Sequence, residues 1–549
     1  MYQRKNCPTR RSQLGFVLFG ARRALLGNKW TPLKNFAGGK KGLWVATRNW
    51  TNDYQDSAGT TPVTTIEQPM GMLMDRARGL ALGAEQVVNG NFSSGLTGWT
   101  ADVGWTIAVG SATRTTSTAD WFYQTIDLSS ISTVLVQVTV STNTTGAGVT
   151  VRIGATNFSD TTAKTGIYSL VCTGNANGAV KISSSTAGAG NLVITNVSVK
   201  QYSGIHLLQA TAPSRPKSSQ RVNLLTATDA FQNAAWLKLQ TGTGVTPVAT
   251  DNYAAAPDGT ATASRIQLNL GATPATALSR IYQNAASPSL GRNSLWIRTA
   301  DASTKTIYFT SAAVGELIVV NGTWQQITRD VSSAAAYVQM QFGLDGSLPT
   351  SNTADLLVWH PDCRTAGNAL APWPAYQRVT STTDYDTAGF PFFAKFDGVD
   401  DGLVSPTFAA GTLGAAMDAY IVLRRNSASG NVLFANATGT RLFGFFNNGS
   451  GAAASQVVGA ASTYLVNDVA VPGGTATTAG QLEAALPVGA WNVLQIHDLD
   501  LHLFDSIVLS NNAGFHLNGD FGELLICEAG TNRAQNLRYL ANEYGVTLP

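Results

Sequence analysis

Three acids crowd the run FDGVDDGL at 396–403: Asp397, Asp400 and Asp401. Carboxylates this close in sequence could present oxygens to calcium, a hard cation that prefers carboxylate and carbonyl ligands. The run also reads as turn chemistry, with Gly398 and Gly402 permitting sharp backbone angles, and it lacks EF-hand spacing. Calcium is the one cofactor left open; no other is expected. In DLDLH at 498–502 the residues Asp498, Asp500 and His502 alternate, so on a strand they share one face. Glycoside hydrolysis needs two carboxylates in different environments, which one exposed strand face rarely supplies, so a solvent-facing surface is expected there. No G-x-x-x-x-G-K-[ST], H-E-x-x-H or G-x-S-x-G run occurs, and no catalytic residue is assigned.

Aromatic rings offer a different chemistry. They stack on the faces of sugar rings while neighbouring amides and carboxylates bond the hydroxyls. Trp99, Trp105, Trp121 and Tyr123 are candidates in one stretch, and Trp236, Tyr253 and Trp296 in another. Each ring could equally plug a sandwich core, the usual fate of large aromatics. Trp121 and Tyr123, beside Asp120 in ADWFYQ, form a locally polar and aromatic cluster. Cys7, Cys172, Cys363 and Cys527 lie far apart with no CxxC pair, which argues for reduced, buried thiols rather than a zinc site or a disulfide framework.

The elements that must position these residues are strands. Charged residues make up only 13% of the 549 residues, about half the usual share, and the chain is long enough for three or four cores. Alternating runs such as STVLVQVTV at 132–140 and NLVITNVSV at 191–199 read as half-buried strands, so the fold class is all-β, a multidomain set of β-sandwich or jelly-roll modules. One helix is expected at 532–544. Thr531 would cap it, Leu537, Leu540, Ala541 and Tyr544 form its apolar stripe, and Gly545 ends it.

Charge is distributed unevenly. Residues 1–52 carry eleven Lys or Arg and no acid, leaving 25 basic against 33 acidic residues beyond them, a net of −8. Arg10 and Arg11 precede the apolar run LGFVLFGA at 14–21, which is too short to span a membrane. An anchoring role fits: Leu14, Phe16, Val17 and Phe19 would bury in a partner while Arg10, Arg11, Arg22 and Arg23 pair with its charges. Deleting residues 1–52 should then abolish assembly and leave the sandwiches folded.

Longer motifs add resemblances. Asn89, Gly90, Asn91, Phe92, Gly98 and Trp99, with the closing NLVITNVSVKQY, resemble jelly-roll carbohydrate-binding modules. The block that begins at about 221, from NLLTATDAFQNAAWLKL to ADLLVWHPDCRTAG, repeats that plan. DSAGTTPVT at 56–64, QATAPSRP at 209–216 and FDGVDDGL resemble one motif opened twice, the opening of concanavalin A-like (laminin-G-like) domains in tailed-bacteriophage structural proteins. GELLICEAGTNRAQNLRYLANEYGVTL resembles the closing strand and helix of such domains. The resulting plan has a basic anchor arm at 1–41 and a lectin-like opening segment at 42–80. A first jelly roll follows at 81–204, a connector at 205–220, a second jelly roll at 221–378 and the lectin-like body at 379–549. Residues 54–75 and 205–218 should then lie near 390–403. The resemblance implies a virion protein assembled in the bacterial cytoplasm, a tail fibre, spike or receptor-binding component without a membrane span. Its partners would be other phage structural proteins and host-surface polysaccharide, and it would form a homo-oligomer, as a fibre a trimer. A capsid-attached decoration or head fibre, and a polysaccharide depolymerase, are the alternatives.

Overall fold

The computed structural model describes residues 30–549 apart from 49–52, 58, 60, 79–81, 115–119, 129–132, 155, 174–177, 187–189, 203, 286–290, 312–314, 332–337, 366–372, 409, 427–433, 436–462, 474–478 and 511–515. It is all-β: the described residues form six antiparallel sheets packed in pairs around three apolar cores, with a further apolar cluster under the C-terminal helix. In the larger frame sandwich, Asn518–Glu528 is the axis of an eight-stranded sheet. Met417–Arg425 pairs along one side of it, while Gly42–Ala46 and Phe393–Asp397 lie end to end along the other. Met417–Arg425 is buried at every position, as a strand covered on both faces must be. One face meets the second frame sheet, and the other meets the C-terminal helix through Tyr420, Leu525, Leu537, Leu540 and Tyr544.

That helix, Arg533–Tyr544, buries the expected stripe, and Gly545 closes it in the left-handed region (φ 62°). Its start differs from expectation. Asn532, not Thr531, is the N-cap, at φ 49° and without a side-chain cap bond. The Asn532 amide instead donates to Asn35 Oδ1 at 2.9 Å, so tertiary contact replaces local capping.

The frame is assembled from distant segments. Met72–Leu73 pairs with Leu207–Leu208, which pairs with Leu403–Val404. Lys217–Ser219 pairs with Phe393–Asp397, and Ser214 Oγ donates to Asp400 at 2.8 Å. Residues 30–46 are part of the same body: Trp30 lies edge-on to Tyr539 at 5.6 Å, Asn35 Nδ2 donates to Asn536, and Phe36 is in the core. A deletion through residue 52 would therefore remove a paired strand, contrary to the expectation that it spares the sandwiches.

Two further sandwiches lie between these segments. In the first, strands between 82 and 202 enclose a core that includes Phe92, Trp99, Phe122 and Tyr168. Its first strand, Leu82–Glu85, pairs with its last, Leu192–Tyr202. The second, between 237 and 365, encloses Phe231, Trp236, Phe309 and Phe342.

One buried side chain clasps each neck. Asp75 accepts the N–H groups of Trp44 (3.2 Å), Ala77 (3.0 Å) and Ile205 (3.1 Å), and its own N–H donates to His206 Nδ1 at 2.9 Å. Gln377 Oε1 accepts the N–H groups of Val222 (2.7 Å) and Asn223 (2.9 Å), while its Nε2 donates to the carbonyls of Gln220 and Asp386. Buried polar groups need such partners, and here the partners lie on both sides of each crossing.

Candidate functional site

Three of the seven candidate rings are core residues, which corrects their assignment to ligand contact. Trp99 and Trp105 are 4% and 5% exposed and pack on Phe122, with ring centroids 5.3 and 4.6 Å away. Trp236 is 2% exposed and stacks on Phe231 at 4.5 Å. Backbone carbonyls accept their indole N–H groups, from Asn89, Asp120 and Ala227 respectively. A satisfied indole can be buried without cost to its polar atom. Asn89 itself, at φ 56°, ties the NGNFSSGLTGW loop by donating to the carbonyls of Gly95 and Thr97 and accepting from Ser94 N–H. The motif therefore builds a loop around a core ring.

Trp121 and Tyr123 are half-buried. Tyr123 points outward from the five-stranded sheet because its neighbours Phe122 and Gln124 take the inner positions of the burial pattern in Phe122–Ile126. The Trp121 N–H donates to Asp102 Oδ2 at 3.2 Å. Lys181 Nζ lies 4.9 Å from the Tyr123 ring centroid.

The second sandwich carries a broader outward face. In Thr353–Thr365 the residues Ala354, Leu356 and Val358 enter the core, so Leu357 and Trp359 fall on the opposite side. Trp296 on Gly291–Thr299 pairs directly with Trp359, and Trp296, Trp324 and Trp359 pack together over Ala256 and Ala263. Trp359 is nearly covered at 9% exposure, whereas Trp296 and Trp324 keep part of their surface in solvent. The Arg298 guanidinium lies 5.4 Å from the Trp324 ring centroid. Tyr253, half exposed, lies under Arg265 at 4.8 Å and accepts from it at 3.2 Å, while Arg265 also grips Asp355 through two bonds. Of the rings on this face, the sequence pattern had singled out Tyr253 and Trp296 but not Trp324 or Trp359. The period-2 pattern in ADLLVWH was the available signal for Trp359. The His360 ring is sandwiched between Trp359 and Tyr376, and burial pushes that imidazole down to about 4, keeping it neutral at neutral pH.

Asp397, Asp400 and Asp401 do converge, with candidate ligand oxygens within 4.8 Å of one another. Those oxygens are also occupied in closing the turn. Asp397 Oδ1 accepts the Val399 and Asp400 N–H groups, and Asp401 Oδ2 accepts the Asp397 N–H at 2.9 Å. Burial, with the neighbouring acids, pushes Asp401 up to about 6. In DLDLH the expected shared strand face does not form: the strand Trp491–Leu499 ends before Asp500, and Asp498 turns left-handed at φ 57°. Asp498 pairs with Arg533 at 3.1 Å, and Asp500 bonds His502 at 2.5 Å. The anchoring candidates Arg10, Arg11, Leu14, Phe16, Phe19, Arg22 and Arg23, together with Cys7, lie outside the described residues. Cys172, Cys363 and Cys527 are buried free thiols, each pushed upward by burial.

No protein-family model and no curated protein matches this chain. Among solved structures, it is similar to the enzymatically active domain of bacteriophage CBA120 tailspike protein 4, at 15% identity and TM-score 0.20; the match covers 27% of this chain and 22% of that one. It is also similar to the CBM22-1–CBM22-2 tandem domain of Paenibacillus barcinonensis Xyn10C (13% identity, 52% of this chain, 98% of that one, TM-score 0.22). A third neighbour is the K1 cleaved adhesin domain of Lys-gingipain from Porphyromonas gingivalis W83 (14% identity, 25% and 93%, TM-score 0.19). Likenesses at these scores establish neither a shared activity nor a shared ligand.

Proposed function

We propose that this chain is a structural protein of a tailed-bacteriophage virion, a tail fibre, spike or receptor-binding component, that holds host-surface glycan through its sandwich faces without cleaving it. The observation that carries the binding reading is the outward group Trp296, Trp324 and Trp359. Flat rings with partial exposure accept the apolar face of a sugar, and Tyr253, Arg265 and Asp355 on the same sheet supply polar contacts at its side. A flat platform suits a polymer surface better than a small solute, which is normally enclosed. Such contacts are weak singly and gain strength through repetition in an oligomer, as a fibre a trimer.

The virion assignment rests on the interrupted lectin-like motif and the closing strand and helix. In this reading residues 1–29 dock into other phage structural proteins. Binding of the purified protein to host capsule or lipopolysaccharide is the test: Trp296→Ala should weaken it at least about tenfold, and unchanged binding would overturn the platform. Released oligosaccharide in the same incubation would replace binding with depolymerisation. Electron microscopy of labelled particles separates tail from head, and labelling of the head alone would replace the tail reading with capsid decoration.

A further inference from the structure

The five-stranded sheet of the first inserted sandwich presents a single row of residues across all its strands. Asn157, Arg152, Lys181, Tyr123 and Thr100 are successive cross-strand partners. Arg152 and Lys181 thus stand directly opposite each other, on strands about 4.8 Å apart, and like charges so placed repel.

Among the described residues neither cation has a carboxylate within 4.0 Å. Arg152 Nε donates to the Gly154 carbonyl at 3.2 Å, and Lys181 leans over the Tyr123 ring. In the second sandwich three outer arginines, Arg265, Arg292 and Arg329, are matched by Asp355, Asp330 and Glu316, while Arg298 lies over Trp324 instead. The acids nearest the row in sequence are Asp102, Asp120 and Asp127, which flank the strands that carry Thr100 and Tyr123, and Asp160, at the end of the strand that carries Asn157 and paired with Lys164 at 2.8 Å. The next row, where Thr150 pairs with both Ser159 and Ser183, is closed within the protein: Thr150 and Ser183 are buried, with Thr150 bonded to Ser159 and Ser183 donating to the Asp120 carbonyl.

We propose that this row is a subsite for an acidic polysaccharide. A uronate carboxylate would lie between Arg152 and Lys181 and relieve their repulsion, an adjoining sugar ring would stack on Tyr123, and Asn157 and Thr100 would bond hydroxyls. The proposal deepens the glycan-binding reading and rests on it. A nucleic acid fits less well. It needs a continuous basic track, whereas this row holds two cations on a body whose net charge beyond residue 52 is −8.

The test uses the full chain with polygalacturonate, neutral dextran and a thymidine oligonucleotide as probes, in the wild type and in Arg152→Gln/Lys181→Gln, Lys181→Glu and Trp296→Ala. Polygalacturonate should bind the wild type, weaken with salt, and lose at least about tenfold in both charge variants. Lys181→Glu should also raise the melting temperature, since it turns a repulsive pair into an attractive one; this shows that the fold survives. Polygalacturonate binding that is indifferent to both charge variants, while dextran binding still depends on Trp296, would overturn the row alone. Failure of every glycan to bind would overturn the glycan reading with it. Oligonucleotide binding as tight as polygalacturonate, and lost in the same variants, would replace the acidic glycan with a nucleic acid.

Discussion

Tryptophan divides here into two populations that sequence alone does not distinguish. Trp99, Trp105 and Trp236 are landmarks of their motifs, yet they mark cores, because a backbone carbonyl lies ready for each indole N–H. Trp296 sits on the other side of a strand whose inner residues, Leu295 and Ile297, are aliphatic, and Trp324, just before Gln325–Val331, packs in the same outward group. The residue type was legible and the face was not, since one register step decides it. Trp236→Ala should therefore cost about 3–5 kcal/mol of stability in a denaturant titration, whereas Trp296→Ala should leave the unfolding midpoint within about 1 kcal/mol and reduce glycan binding. Equal destabilisation by both would erase the distinction. Acidic residues behaved similarly: Asp397, Asp400 and Asp401 were found as a group, but their backbone bonds follow from a turn geometry that only the folded chain displays.

At the scale of elements, the period-2 run NLVITNVSV falls, from Leu192 on, in the strand Leu192–Tyr202, and GELLICE, read as the closing strand, lies within Asn518–Glu528. The C-terminal helix was legible because its apolar stripe and Gly545 are both local signals. Its N-cap was not, because the bond Asn532 makes reaches across 497 positions to Asn35. Gly545→Ala, at φ 62°, should cost about 1 kcal/mol through the left-handed penalty, and Leu540→Ala, fully buried, about 2–5 kcal/mol. Gly522 is less forgiving, since a Cβ there would stand 2.5 Å from the Tyr544 ring. Gly522→Ala should displace the helix, visible as faster amide exchange in residues 533–544 than in the wild type.

Across the whole molecule the frame is tied together by contacts between residues hundreds of positions apart, and Asp53 lies among them. Its carboxylate is fully buried, with Arg76 3.7 Å away, and burial pushes it up to about 7 from an ordinary 3.8. The folded state therefore binds this proton more tightly than the unfolded chain. The resulting stability is complete below about pH 4 and is lost as pH rises through about 7. Asp53→Asn cannot titrate, so its melting temperature relative to wild type should rise steadily between pH 4 and 8; a constant difference would mean that Asp53 titrates normally. Truncation after residue 29 should leave the melting temperature unchanged, whereas truncation after residue 52 removes Gly42–Ala46 from its pairing with Asn518–Glu528 and should lower it sharply. The necks held by Asp75 and Gln377 give the architecture a further property. Where a chain leaves and returns through one clasp, whatever lies beyond it can be swapped as a cassette without rethreading the frame. Each socket is closed by a single buried side chain, so an inserted module can differ in size and surface while the frame sandwich keeps the same pairing.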